Sequence, residues 1–237
     1  MKRGMYMGLT TTEFMDLCKK FETLFRDKYN YTKTRPGPFT VFCETETYRS
    51  YWKDMRSIAN IRNVIAHSDL DVDGDEGIVV AERTMRVLKD VIELLENPPL
   101  VEDVFIRNMK YVKIEDSVSQ TIAYMTRHSI THMPVLDKTR NLIGVFSENT
   151  IFTRLDREEI VAIDVAETLE SYRDYLPIDC HKGEYFGFIG LQETLDTAKD
   201  LFNQRNEEGK RLVLLYVTKT GRKDQPVLGV LSPYDLI

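Results

Sequence analysis

A short phrase occurs twice in this chain, GVFSENTIF at residues 144–152 and GVLSPYDLI at residues 229–237. Each copy is a glycine, a brief apolar strand, a serine and then the polar opening of a helix. The upstream segments correspond as well. Asp116-Ser117-Val118 and Glu193-Thr194-Leu195 each open a helical pattern, and an apolar strand follows each (MPVLD at 133–137, RLVLLYV at 211–217). The offset is 194 − 117 = 77 at the helix starts and 229 − 144 = 85 at the glycines, so the second copy carries about eight extra residues. Turn-forming residues assign them to Asn206–Lys210 and Thr218–Gln225. Such a repeat means two copies of one supersecondary unit that share a core.

With 237 residues, 30% charged and 42% hydrophobic, the chain suits one large or two ordinary globular domains. No apolar run approaches the roughly 18 residues of a membrane helix, and the start MKRGMYMGLT has no apolar stretch of a secretory signal. Cys18, Cys43 and Cys180 are odd in number and scattered, which fits reduced thiols and a cytoplasmic location. The net charge of −6 is uneven: residues 1–68 hold twelve Lys/Arg and seven Asp/Glu, or +5. A basic beginning on an acidic chain is compatible with a phosphate-rich partner, and equally with an ordinary solvated surface.

The first 97 residues read as helical. Thr10-Thr11-Thr12-Glu13 offers a capping box, and Phe14, Leu17, Phe21, Leu24 and Phe25 follow helical spacing. Tyr31–Phe42, with Pro36, Gly37 and Pro38, reads as a loop. A second helix is expected over Thr47–His67 and a third along Ala81, Met85, Leu88, Ile92 and Leu95, stopped by Asn97-Pro98-Pro99. Beyond that stop the pattern is strand, helix, strand, strand, helix, twice over, with a joining helix expected over Ile163–Tyr175. The chain stops at Ile237 where the repeat calls for a closing helix, so either that helix is missing or the native protein continues.

DSVSQTIAYMTRHSITHMPVLD with LIGVFSENTIF, and ETLDTAKDLF with KRLVLLYV and PVLGVLSPYDLI, resemble a tandem pair of cystathionine-β-synthase (CBS) domains, a Bateman module. The resemblance implies a pseudo-twofold disc with two clefts that senses an adenine nucleotide or related purine ligand rather than catalysing a reaction. In that family the acid of a Ser/Thr-x-x-Asp ending holds the ribose hydroxyls, and Asp235 stands at its position, with Ser232 at a helix start suited to phosphate. Lys210 and Arg211 fall where basic phosphate contacts occur in the family. The first copy departs from the pattern, with Thr150 in the acid's place, although Ser147, Thr131 and His132 could line its cleft. Read as residues alone, Ser-x-x-Asp is also an ordinary capping box, and the two basic residues fit a solvated strand edge.

The expected second helix ends IRNVIAHSD. Arg62-Asn63-Val64-Ile65-Ala66-His67 fits the Arg-x4–6-His signature of the HEPN superfamily, four-helix domains that often dimerise. The resemblance implies a homodimer and, in the alternative reading, a metal-independent ribonuclease gated by the CBS pair. His67 would then move protons, Arg62 would stabilise the charged transition state and Asn63 would orient one of them. Positions five apart lie about 140° round an α-helix, however, so Arg62 and His67 share no face within one chain. Cations in a helix's last turn also favour its dipole without further purpose.

The stretch DVDGDEGIVVAE (71–82) resembles an EF-hand calcium loop through Asp71, Asp73, Asp75, Ile78 and Glu82, but Glu76 stands where the turn glycine belongs and Gly77 follows it. No phosphate loop, HExxH or paired CxxC occurs, and four separated histidines suggest no zinc site.

The expected fold class is α+β: an N-terminal all-α, HEPN-like domain over 1–97 and a tandem CBS pair over 98–237 (first copy 100–155, linker 156–184, second copy 185–237), two β-α-β-β-α units packed pseudo-twofold. The expected role is regulatory. A purine nucleotide is the ligand, no cofactor or metal is required, RNA is a possible partner of the helical domain, and no membrane is involved.

Overall fold

Helical spacing of aromatic residues builds the N-terminal part. The computed structural model describes residues 11–67, 80–158 and 162–236, and the chain divides into two units, Met1–Pro98 and Pro99–Ile237. In the first, α1 (Thr11–Tyr29) buries Phe14, Cys18, Phe21 and Phe25. The expected loop contains α2 (Pro38–Phe42). Pro38 sits in its first turn, where a proline's fixed φ suits a helix and its missing N–H costs nothing. Phe39 and Phe42 then pack on Phe21 with ring centroids 4.4 and 5.4 Å away. The expected second helix is broken: a 3-10 turn over Glu46–Tyr51 precedes α3 (Trp52–His67), and Tyr48 within that turn has non-helical φ −103° and ψ 18°. Tertiary contacts hold Tyr48 there. It stacks on Phe42 at 4.4 Å and shares a 2.7 Å hydrogen bond with the Tyr29 hydroxyl. Finally α4 (Glu82–Glu96) buries Met85, Leu88, Val91, Ile92 and Leu95. Thr10 of the expected capping box and residues 71–79 of the acidic loop lie outside the described residues.

The second unit carries the repeat. A short helix α5 (Val101–Val104) leads into α6 (Val118–His128), β1 (His132–Leu136), β2 (Leu142–Ser147) and α7 (Glu148–Arg157). The second copy runs through β3 (Glu184–Gly190), α8 (Leu195–Asn203), β4 (Arg211–Thr218) and β5 (Gly229–Leu231) to a 3-10 turn over Pro233–Leu236. Ser117 and Thr194 cap α6 and α8 by accepting from the amides of Gln120 and Thr197. β1 and β2 pair antiparallel; β3 lies parallel to β4, and β5 antiparallel to it. The expected leading strand of the first copy is reduced to one bridge, Val112 with Val135.

The expected helix over 163–175 does not form, except for a 3-10 turn at Leu169–Tyr172. Its backbone is engaged elsewhere. The Val118 amide donates to Glu167 O (3.0 Å) and the Leu169 amide to Asp116 O (2.9 Å), so residues 167–169 pair with the start of α6 instead of with themselves. The Arg154 guanidinium fastens the same segment, bonding both Glu167 oxygens and the Ser171 hydroxyl while lying 4.4 Å from the Tyr172 ring centroid.

Each copy's leading segment therefore packs on the other copy. Leu169, Tyr172 and Leu176 belong to the first copy's core, with Val118, Met133 and Phe146. Val101 and Phe105 belong to the second copy's core, with Leu212, Leu215 and Leu231. The repeated glycines mark where the segments cross. The Val145 amide donates to Leu176 O (2.8 Å), and Ile106 exchanges two backbone bonds with Val230 (2.9 and 3.2 Å). A Cβ on Gly144 would overlap the Leu176 carbonyl; one on Gly229 would overlap the Ile106 carbonyl and come within 2.7 Å of the Phe105 ring. Between the copies lie Leu136, Val145, Phe186, Tyr216, Val227 and Val230. Tyr216 is fully buried, and its hydroxyl meets no hydrogen-bonding group among the described residues.

Two outcomes follow for stability. Gly144→Ala and Gly229→Ala each destabilise the second unit by about 3 kcal/mol, because backbone must move to admit the methyl group. Tyr216→Phe is neutral or stabilising by up to about 1 kcal/mol, since it removes an unsatisfied buried hydroxyl. Urea denaturation monitored by far-UV circular dichroism checks both; a destabilised Tyr216→Phe would reveal a partner for the hydroxyl.

Candidate functional site

The two serines of the repeated phrase stand at equivalent strand ends in different surroundings. Ser147 and Thr150 are 1% and 2% exposed, whereas Ser232 and Asp235 are only partly buried. In the second copy the Asp235 carboxylate reaches back to the start of its own turn. Its Oδ2 accepts from the Ser232 amide (2.7 Å) and the Ser232 hydroxyl (2.7 Å). Both bonds fall on one oxygen, so the carboxylate is held in a fixed orientation while Oδ1 has no hydrogen-bond partner among the described residues. Lys210 and Arg211 stand at the start of β4. The Lys210 ammonium pairs with Glu208 at 2.6 Å, and Arg211 is exposed, facing Glu184 across the β3–β4 register.

In the first copy Thr150 takes the acid's capping role: its hydroxyl accepts from the Ser147 amide (3.2 Å) and donates to Val145 O (3.2 Å). His132 pairs with Ser147 across β1 and β2, and its Nδ1 lies 2.8 Å from the exposed Thr131 hydroxyl. Its Nε2 meets a group that the sequence did not single out, the Glu184 carboxylate, at 2.9 Å. The other Glu184 oxygen lies 3.2 Å from His181 Nδ1 and 3.5 Å from the Ser147 hydroxyl. His181 is 1% exposed and turns its Nε2 to Leu176 O at 3.4 Å. Phe186 packs edge-on against both imidazoles, with centroids 5.5 and 4.9 Å away. These side chains bond one another, and among the described residues no group of three His, Cys, Asp or Glu is arranged to hold a metal ion.

Glu184 and His181 escaped sequence reasoning for a structural reason. The crossing residues Ile106 and Leu176 differ by 176 − 106 = 70, but the paired strand residues Val112 and Ile189 differ by 189 − 112 = 77. Seven residues are thus inserted between crossing and strand in the second copy, and this insertion carries His181. Counting back from those strand residues, Glu184 and Arg107 hold the same position in the two copies; the Arg107 guanidinium bonds Glu102 O and lies 4.5 Å from the Phe105 ring centroid.

The helical unit does not bring its three candidates together. Arg62 on α3 pairs with Glu22 on α1 at 3.1 Å and bonds the Asn63 side chain at 3.2 Å, while His67 is exposed at the end of α3. The continuous helix between them leaves the two groups on different faces. Cys18 is buried beside this pair; burial, only partly countered by Arg62, pushes its thiol up to about 12 and leaves it unreactive. No helix among the described residues is long and apolar enough to cross a membrane.

Burial pushes the Glu184 carboxyl upward, but hydrogen bonds and charge from His132 and His181 outweigh it and hold the group at about 2, below its ordinary 4.5. On acidification the unfolded chain takes up this proton first. The stability contributed by Glu184 is therefore complete above pH 4.5 and lost as the pH falls towards about 2. Glu184→Gln is expected to be less stable than wild type near neutrality and to converge with it in acid, measured by urea denaturation across that range. A stability difference independent of pH would contradict an ionised role for Glu184.

Residues 101–157 match the family model described as CBS domain. Among solved structures, the protein named AcuB from Vibrio cholerae is 15% identical, with 57% of this chain and 85% of that chain covered and a TM-score of 0.43. The CBS domain pair of protein MJ0100, in complex with 5′-methylthioadenosine and S-adenosyl-L-methionine, is 16% identical over 59% of this chain and 93% of its own, with a TM-score of 0.40. CBSX2 in complex with AMP is 19% identical over 58% and 92%, with a TM-score of 0.40. The matched residues run from α5 to the last turn of α7, so the first copy of the repeat is similar to the CBS domain along its whole length. The chain is α+β, a helical N-terminal unit followed by an α/β unit of CBS type.

Proposed function

We propose that the second unit is a regulatory sensor that binds an adenine nucleotide or related purine ligand at Ser232 and Asp235, and that the helical unit dimerises and transmits the bound state. The observation that supports this reading most is the Asp235 carboxylate, fixed through one oxygen by Ser232. A pre-oriented carboxylate with a free oxygen suits the two hydroxyls of a ribose, which donate where a carboxylate accepts. Arg107 holds the repeat position that Glu184 holds in the other copy, a cation in place of a carboxylate, and a cation suits a phosphate. The same Ser232–Asp235 bonds would cap the turn without any ligand, so binding itself is the measurement that matters.

Calorimetric titration of the full chain with AMP, ATP and S-adenosyl-L-methionine is the test. At least one of them binds, and Asp235→Ala weakens it by about tenfold to a hundredfold, as expected for a lost charge-assisted hydrogen bond. Ser147→Ala leaves the affinity unchanged. If none binds, or if Asp235→Ala binds like wild type, the sensor reading at this site is wrong.

A further inference from the structure

Among the described residues, the first copy has no free polar group at the place where the second offers Asp235. Ser147 and Thr150 satisfy each other, and the remaining Ser147 contact goes to Glu184. The Glu184 carboxylate also bonds His132 and His181, and both ring nitrogens of His181 face acceptors of this chain. Two further bonds strap the inserted segment down: the Asn149 amide donates to Lys182 O at 2.6 Å, and Leu176 O accepts from Val145. All these partners surround the N-terminus of the ten-residue helix α7, where a negative group is favoured by the helix dipole.

We infer that Glu184 is a built-in occupant of the first cleft, taking the hydroxyl and the helix terminus that an anionic ligand would use, so that the pair takes up one ligand molecule and only at Ser232 and Asp235. The ligand half of this inference rests on the sensor reading above; the closure of the first cleft does not. An incoming phosphate would meet a like charge at close range. It would also have to displace a carboxylate whose departure strands the buried His181 without its partner. At the corresponding position of the repeat stands Arg107, whose guanidinium bonds Glu102 O and lies over the Phe105 ring, so no carboxylate occupies that position on the Ser232 side. Glu184 is thus a specificity-determining residue: it makes two similar clefts unequal.

Two experiments separate closure from ligand binding. In a Cys180→Ser background, which removes the exposed native thiol, Ser147→Cys is labelled by a small neutral thiol reagent. Labelling is slow with Glu184 present and at least about tenfold faster with Glu184→Ala, as for any group released from a local closed state. Equal rates in the two backgrounds overturn the closure. The second experiment titrates AMP. Wild type and Thr150→Asp each bind one equivalent, whereas Thr150→Asp combined with Glu184→Ser binds two. Two equivalents in wild type, or one in the double variant with its circular dichroism unchanged, overturn the inference. If AMP binds none of these chains, AMP is not the ligand, and the labelling rates alone decide whether the cleft is closed.

Discussion

The second unit depends on two places where backbone lies directly on backbone. At Gly144 and at Gly229 a carbonyl from the other copy's leading segment occupies the space of a side chain. Only glycine permits that approach, and only that approach lets Val145 and Val230 hydrogen-bond to the crossing chain. The apolar layer of Leu136, Val145, Phe186, Tyr216 and Val230 is assembled between these crossings. With the two fixed points given, the copies have little freedom left in how they face each other.

Within that nearly symmetric frame the polar groups are not symmetric. The first copy's serine is buried in a network of Thr150, His132, His181 and Glu184; the second copy's serine is accessible beside a carboxylate. The repeat supplies two equivalent strand–turn junctions, and a few substitutions with one insertion make them differ in polar partners and in exposure. The partly buried Glu184 carboxylate bonds two imidazoles and lies 3.5 Å from a hydroxyl, which offset the water it has lost.

Much of the fold was legible in local chemistry. Ser117 and Thr194 announce α6 and α8 because a capping hydroxyl acts on amides three residues away. The repeated phrase announces both strand–turn junctions. What was not legible depended on distant partners. Residues 163–175 have helical periodicity, yet Asp116 and Val118 take their backbone and Arg154 takes Glu167. Tyr48 breaks an otherwise plausible helix because Phe42 and Tyr29 hold it. The candidate site divides in the same way. Ser232 and Asp235 are neighbours in sequence and could be read there, whereas Glu184 and His181 reach Ser147 only through the insertion and the strand register. Arg62 and His67 show the converse: a motif compact in sequence whose groups a regular helix holds apart.

The exchange of leading segments also decides what can fold by itself. Ile106 pairs with Val230, 230 − 106 = 124 residues away, and the first copy's core is unfinished until Leu176 arrives. Neither copy is therefore an autonomous folding unit, and contacts this distant in sequence are slow to form because loop closure precedes any gain from them. On a ribosome, the exposed apolar surface of Val101 and Phe105 would wait for nearly the whole remaining chain before being covered. A design that splices one copy onto another protein must carry the other copy's leading segment with it.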